Sequence, residues 1–175
     1  MLTLAQQALL FQDAPEVPLW IGSPQALSAR IEAVPFKYDA LKFVMVFMHP
    51  AEYLGDEADI PAYSQAWANG YMPQQTARLV KFLRAEAADD IFKPDAWPLA
   101  NRHGIFELGS VLRDAWSQHQ NSVPDTDQYF YMATDARLAK FYGRIFVKSS
   151  TAGPLSVFEP ILEPLGDFYG YRKKT

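Results

Sequence analysis

The chain has no cysteine and only three histidines among its 175 residues. Without a thiol there is no disulfide framework, thiolate nucleophile, cysteine-ligated zinc or iron–sulfur cluster. Glycine-rich phosphate loops, nucleophile elbows, HExxH helices and dinucleotide fingerprints are missing as well. Gly104 and Gly109 have a suggestive spacing but lack the Lys-Ser/Thr ending of a phosphate loop. The longest apolar run, Phe43 to Met48, falls far below the roughly 20 residues that span a bilayer. Met1 to Leu4 carries no basic residue of the kind that opens a signal peptide. These absences predict a cytoplasmic protein that engages no membrane.

Positive charge is also scarce. Lys and Arg number 16 against 20 Asp and Glu, for a net charge of −4. Nucleic-acid binding calls for a basic patch. The one basic run, Arg172-Lys173-Lys174, reads as a solvated tail. No nucleic-acid partner and no cofactor is expected.

What the chain has in quantity is aromatic side chains: Phe 12, Tyr 9 and Trp 4. Hydrophobic residues make up 49% and charged residues 21%, a balance that supports a core and argues against disorder. At this length residues 1–175 read as a single globular domain. Its proline-rich end, 151–175, is expected to be irregular chain docked on the rest.

Thirteen prolines divide the sequence into segments of helical length. Thr3 is a candidate N-cap for a helix over 3–11. Ser23-Pro24 suits a helix start, with Leu27, Ile31 and Val34 as its stripe. Residues 38–49 fit a buried strand or a central helix, and the lead-in Asp39-Ala40-Leu41-Lys42 favours helix. Another helix is expected over 61–70. From Pro73 onward Thr76, Val80, Leu83, Ala87 and Ile91 recur at spacings of three and four, which predicts a helix with Phe82 on its polar side. Residues 101–118 repeat the pattern with Ile105, Leu108, Leu112, Ala115 and Trp116. Asp125-Thr126-Asp127 suits the cap of a further helix with Tyr131, Thr134, Leu138, Phe141, Tyr142 and Ile145 inside. The expectation is therefore a mainly α single-domain bundle of six to seven helices. A short β element is allowed near 144–150 or 42–48, with an α+β fold as the alternative.

Two constellations bear on chemistry. His49 and Glu52 stand three residues apart ahead of an acidic stretch, and a histidine beside carboxylates can bind a divalent ion or move protons. Pro50 breaks that spacing, however, and the stretch lacks the alternating ligands and glycine of an EF-hand loop. His103 and Glu107 lie one helical turn apart, but a di-iron bundle uses Glu-x-x-His in duplicate. A solvated i, i+4 pair accounts for them as well.

The aromatics are more informative. Tyrosine tolerates partial exposure and serves as an interface anchor. Phe82, Tyr129, Phe168, Tyr169 and Tyr171 are the rings that the expected helix stripes leave over, and they are the candidate contact residues for another protein. In general character, without a residue motif to carry the comparison, the chain resembles the small acidic, aromatic-rich helical proteins that bacteria use as immunity proteins or secretion adaptors. The leading expectation is a non-catalytic protein-binding domain of immunity, adaptor or chaperone type with an acidic, aromatic surface. The alternatives are a metal-dependent hydrolase using His49, Glu52, His103 and Glu107, and a structural or phage-assembly subunit that forms a homo-oligomer.

Overall fold

Asp39 takes a left-handed backbone conformation, φ 53°, which an Asp tolerates in a tight turn. Around it the chain folds back on itself: β3 (Ile31–Tyr38) and β4 (Leu41–Met48) pair antiparallel from Tyr38↔Leu41 to Ile31↔Met48. This hairpin is the seed of an eight-stranded sheet in a computed structural model that describes residues 3–39, 41–54, 71–85, 104–133, 136–149, 153–163, 165 and 168–175.

The remaining strands are β1 (Leu19–Ile21), β2 (Gln25–Ser28), β5 (Arg78–Arg84), β6 (Gln128–Met132), β7 (Phe158–Pro160) and β8 (Phe168–Lys173). The sheet order is β1-β3-β4-β5-β6-β8-β7, with β2 also on β3. Every pairing is antiparallel except β5 with β6. Among the described residues the α-helices are α1 (Leu4–Leu10), α2 (Pro50–Leu54), α3 (Gly104–Ser122) and α4 (Ala136–Ser149). Among the described residues none is long and apolar enough to cross a membrane.

One sheet face lies under α3 and α4. It contributes Val34, Phe36 and Tyr38 from β3, Phe43, Met45 and Phe47 from β4, Val80 from β5, and Tyr129 and Tyr131 from β6. These meet Leu108, Leu112, Ala115 and Trp116 of α3. The opposite face is covered in two patches. Leu10 and Phe11 pack on Ala33, Val44 and Val46, while Ile161 and Leu165 pack with Leu79, Phe130 and Phe168.

This architecture overturns the six-to-seven-helix bundle and the helical character expected from the sequence. The reason is physical. The central strands are covered on both faces, so they carry near-continuous apolar runs instead of the polar alternation that marks a half-exposed strand. Residues 42–48, where the lead-in favours helix but a short β element is allowed, are the core of β4 and are buried from Phe43 to Phe47. The helix expected from Pro73 is β5 over its described part: Val80 and Leu83 fall on opposite faces, and their spacing of three is coincidental. The helix expected after Ser23-Pro24 is instead β2 and β3. Pro35 sits in β3 where its outer neighbour changes from β2, ending at Ala33, to β1, beginning at Phe36. A residue without an N–H fits at that junction.

Asp125-Thr126-Asp127 leads into β6, not a helix, and the helix that follows starts only at Ala136. Residues 144–149 continue α4, so the β element allowed there does not form. The C-terminal stretch supplies β7 and β8, and β8 lies inside the sheet. The helix expected over 61–70 lies outside the described residues. The two remaining helices stand as read. Thr3 and Gln6 form a reciprocal capping box on α1, and α3 runs over 104–122, four residues beyond the expected end.

Candidate functional site

At the end of the sheet where β3, β5 and β6 begin, five polar side chains form a chain of contacts under α3. Arg78 on β5 grips Glu32 on β3 with two parallel hydrogen bonds, Nε to Oε2 at 2.9 Å and Nη2 to Oε1 at 3.0 Å. This is the bidentate geometry in which guanidinium and carboxylate bind most strongly. The Arg78 Nη1 also donates to the carbonyl of Ala77 at 3.1 Å. Beyond Glu32 stands His119, fully buried, with its Nε2 3.7 Å from Glu32 Oε2. That separation is too long for a hydrogen bond. On the other side His119 Nδ1 is 2.8 Å from the Tyr129 hydroxyl, which in turn donates to Gln120 Oε1 at 2.8 Å.

The tautomer of His119 follows from these contacts. Gln120 Nε2 donates to the Pro124 carbonyl, so its Oε1 faces Tyr129. The single phenolic proton is committed to that oxygen. The bond to His119 therefore requires Nδ1 to carry hydrogen, and in the neutral ring Nε2 is a bare lone pair. Among the described residues Nε2 makes no hydrogen bond. The imidazole is also clamped by Phe47, whose ring stacks on it at 3.7 Å and 12°.

The electrostatics agree with a neutral ring. Burial lowers the His119 pKa from its ordinary 6.5; the Glu32 carboxylate raises it and the Arg78 charge lowers it further. For Glu32, burial acts upward, but the favourable contacts of the carboxylate with His119 and Arg78, the bidentate grip of Arg78 among them, outweigh it and hold the carboxyl at about 2. Burial pushes the Tyr129 phenol far up, so it stays a neutral donor. What this network offers chemically is proton storage between β3, β5, β6 and α3.

A second feature lies further along β6 on the same face. Tyr142 of α4, Tyr131 of β6 and Tyr169 of β8 stack in sequence, with centroids 4.2 and 5.3 Å apart at 27° and 12°. Tyr171 lies 6.4 Å from Tyr131. The inner rings are buried, but Tyr169 is 45% exposed.

Of the five candidate contact rings, Tyr129, Phe168 and Tyr171 are buried in the core and Tyr169 reaches the surface. Phe82 is half-buried, with its ring edge against Tyr142 at 5.9 Å. His49 Nδ1 accepts from the Ala51 amide at the start of α2, and Glu52 is exposed. Glu107 Oε2 lies 3.1 Å from the Tyr38 hydroxyl. It therefore sits at the opposite end of the β3–β4 hairpin from His49, roughly 20 Å away along strands of this length. His103 lies outside the described residues. Hence His49 and Glu107 are not brought together, and among the described residues no three His, Asp or Glu side chains converge on a metal position.

His119, Glu32 and Arg78 were not among the sequence candidates. One signal was available: His119 follows Leu112, Ala115 and Trp116 at the spacing of the inner stripe of α3, and it becomes visible once the helix is extended past Gln118. Glu32 and Arg78 gave no comparable signal, because their meeting depends on the sheet order. No protein-family model, curated protein or solved structure gives a match to this chain.

Proposed function

We propose that the chain is a non-catalytic protein-binding domain whose contact surface centres on Tyr169. The observation that carries this reading is the combination of exposure and fixation at that ring, 45% exposed yet stacked on Tyr131 at 5.3 Å. An aromatic anchor that is already held in place loses little rotamer freedom on binding, which is the property of a good interface hot spot. Beside it, α4 contributes Tyr142 to the same stack.

The test is affinity capture from the native host with wild-type protein and Tyr169→Ala. A partner retained in stoichiometric amount by the wild type, and lost with Tyr169→Ala at unchanged melting temperature, supports the reading. Equal capture by both proteins overturns it. Light scattering addresses the homo-oligomer alternative, which predicts a dimer that dissociates in Tyr169→Ala.

A further inference from the structure

The buried histidine is placed so that a proton would rearrange its neighbours. We propose that Glu32 is a carboxylate shared between Arg78 and His119, and that proton uptake at His119 Nε2 draws it from the guanidinium towards the imidazole. The device is independent of the partner reading above.

The geometry supplies each part. With Nδ1–H committed to Tyr129, the Nε2 lone pair faces Glu32 Oε2 at 3.7 Å, and that same oxygen accepts from Arg78 Nε at 2.9 Å. A lone pair against a carboxylate is unfavourable, whereas an N⁺–H there closes to a charge-assisted hydrogen bond near 2.8 Å. Something must therefore move by nearly 1 Å. The imidazole is held by the Phe47 stack on one side and by Tyr129 on the other. Glu32 is only half-buried, and it reaches over from the start of β3. The carboxylate is the mobile member, and its movement loosens one arm of the Arg78 fork.

Among the described residues the groups facing His119 are few. They are Glu32 from β3, Arg78 from β5 and Tyr129 from β6; β4 contributes the uncharged Phe47, and Gln120 of its own helix acts through Tyr129. Glu32 favours the cation and Arg78 opposes it. The position of His119 in the last turn of α3 favours it as well, because the carbonyl end of a helix attracts positive charge. Burial resists, so the proton enters below the ordinary histidine range and the ring is neutral at pH 7.

The experiment is a pH titration of ¹⁵N-labelled full chain by NMR, reading the His119 ring nitrogens and the Arg78 Nε–H together. At pH 7.5 the ring is expected as the Nδ1–H tautomer. On acidification, His119 and Arg78 Nε should move with one common midpoint below 6.5. Glu32→Gln removes the charge that favours the imidazolium, so it should lower the His119 midpoint by about half a unit or more. His119→Asn keeps a donor towards Tyr129 and should leave Arg78 Nε unmoved over the same range. An Nε2–H neutral tautomer, an Arg78 signal that ignores the His119 midpoint, or a ring still neutral at pH 4 overturns the proposal. The wild-type titration decides the matter even if a variant fails to fold.

Discussion

The Tyr142 ring of α4 lies on Tyr131 of β6, with centroids 4.2 Å apart and planes at 27°. This contact fastens the last helix to the sheet. Tyr142 is also met edge-on by Phe82 and flanked by Phe141. Tyr142→Ala should therefore cost about 3–5 kcal/mol, the range for deleting a buried ring. Among the described residues its hydroxyl makes no hydrogen bond, so Tyr142→Phe should change stability by less than about 1 kcal/mol. Urea denaturation of the two variants separates ring packing from the hydroxyl.

Gly170 of β8 stands opposite Phe130 of β6, and the Phe130 ring lies across it. A Cβ at 170 would come within 2.8 Å of Phe130 Cε1 and 3.0 Å of Ile161 Cδ1. The site excludes a side chain through packing, not backbone conformation. Gly170→Ala should destabilise by about 1–3 kcal/mol, as overpacking of a filled core does. A melting temperature equal to that of the wild type would contradict this.

These two positions also show what the sequence can and cannot disclose. Tyr142 belongs to a true helical stripe; α3 was legible because its apolar residues recur locally, and α1 because its cap is encoded within a few residues. β5 was not legible: Arg-Leu-Val-Lys-Phe-Leu-Arg fits a helix as well as a strand. It is a strand because β4 and β6 lie on either side of it, which is tertiary information. The site divides in the same way. Tyr169 was found as a leftover ring, and its exposure sets it apart. Tyr129 was also found, but as a surface candidate, and burial makes it a hydrogen-bonding member of the core instead. Glu32 and Arg78 are 46 residues apart, and nothing near either one announces the other.

The Glu32–Arg78 pair makes the fold sensitive to acid. The carboxyl is held at about 2 in the folded chain against 4.5 ordinarily. A depressed carboxyl stabilises the fold above its unfolded pKa, and that contribution is lost as pH falls through the folded value. The loss should therefore run from about pH 4.5 down to 2. The full depression corresponds to about 3 kcal/mol, and half-burial with solvent screening reduces this to roughly 2 kcal/mol. Glu32→Gln should be less stable than the wild type at pH 6, with the difference shrinking towards pH 3. Urea midpoints at pH 6, 4.5 and 3 measure it. A difference that stays constant across the three would assign the effect to packing.

Tyr38 and Gly104 make the sharpest test of the junction between β3 and α3. The Tyr38 hydroxyl donates to the Gly104 carbonyl at 2.9 Å and lies 3.1 Å from Glu107 Oε2. The same oxygen would sit 2.6 Å from a Cβ added at Gly104. Two effects then oppose each other in Gly104→Ala. Alanine in place of glycine favours a helix by up to about 1 kcal/mol, but the hydroxyl must be displaced and the hydrogen bond of its one proton given up, at about 0.5–1.5 kcal/mol. Tyr38→Phe alone loses that bond, and it also removes the atom that obstructs the new methyl group. The single variants should therefore each be neutral or destabilised, while the double variant should be more stable than their sum by about 1 kcal/mol or more. Chemical denaturation of all four proteins gives the coupling directly. Strict additivity would mean that the hydroxyl is not what keeps position 104 a glycine.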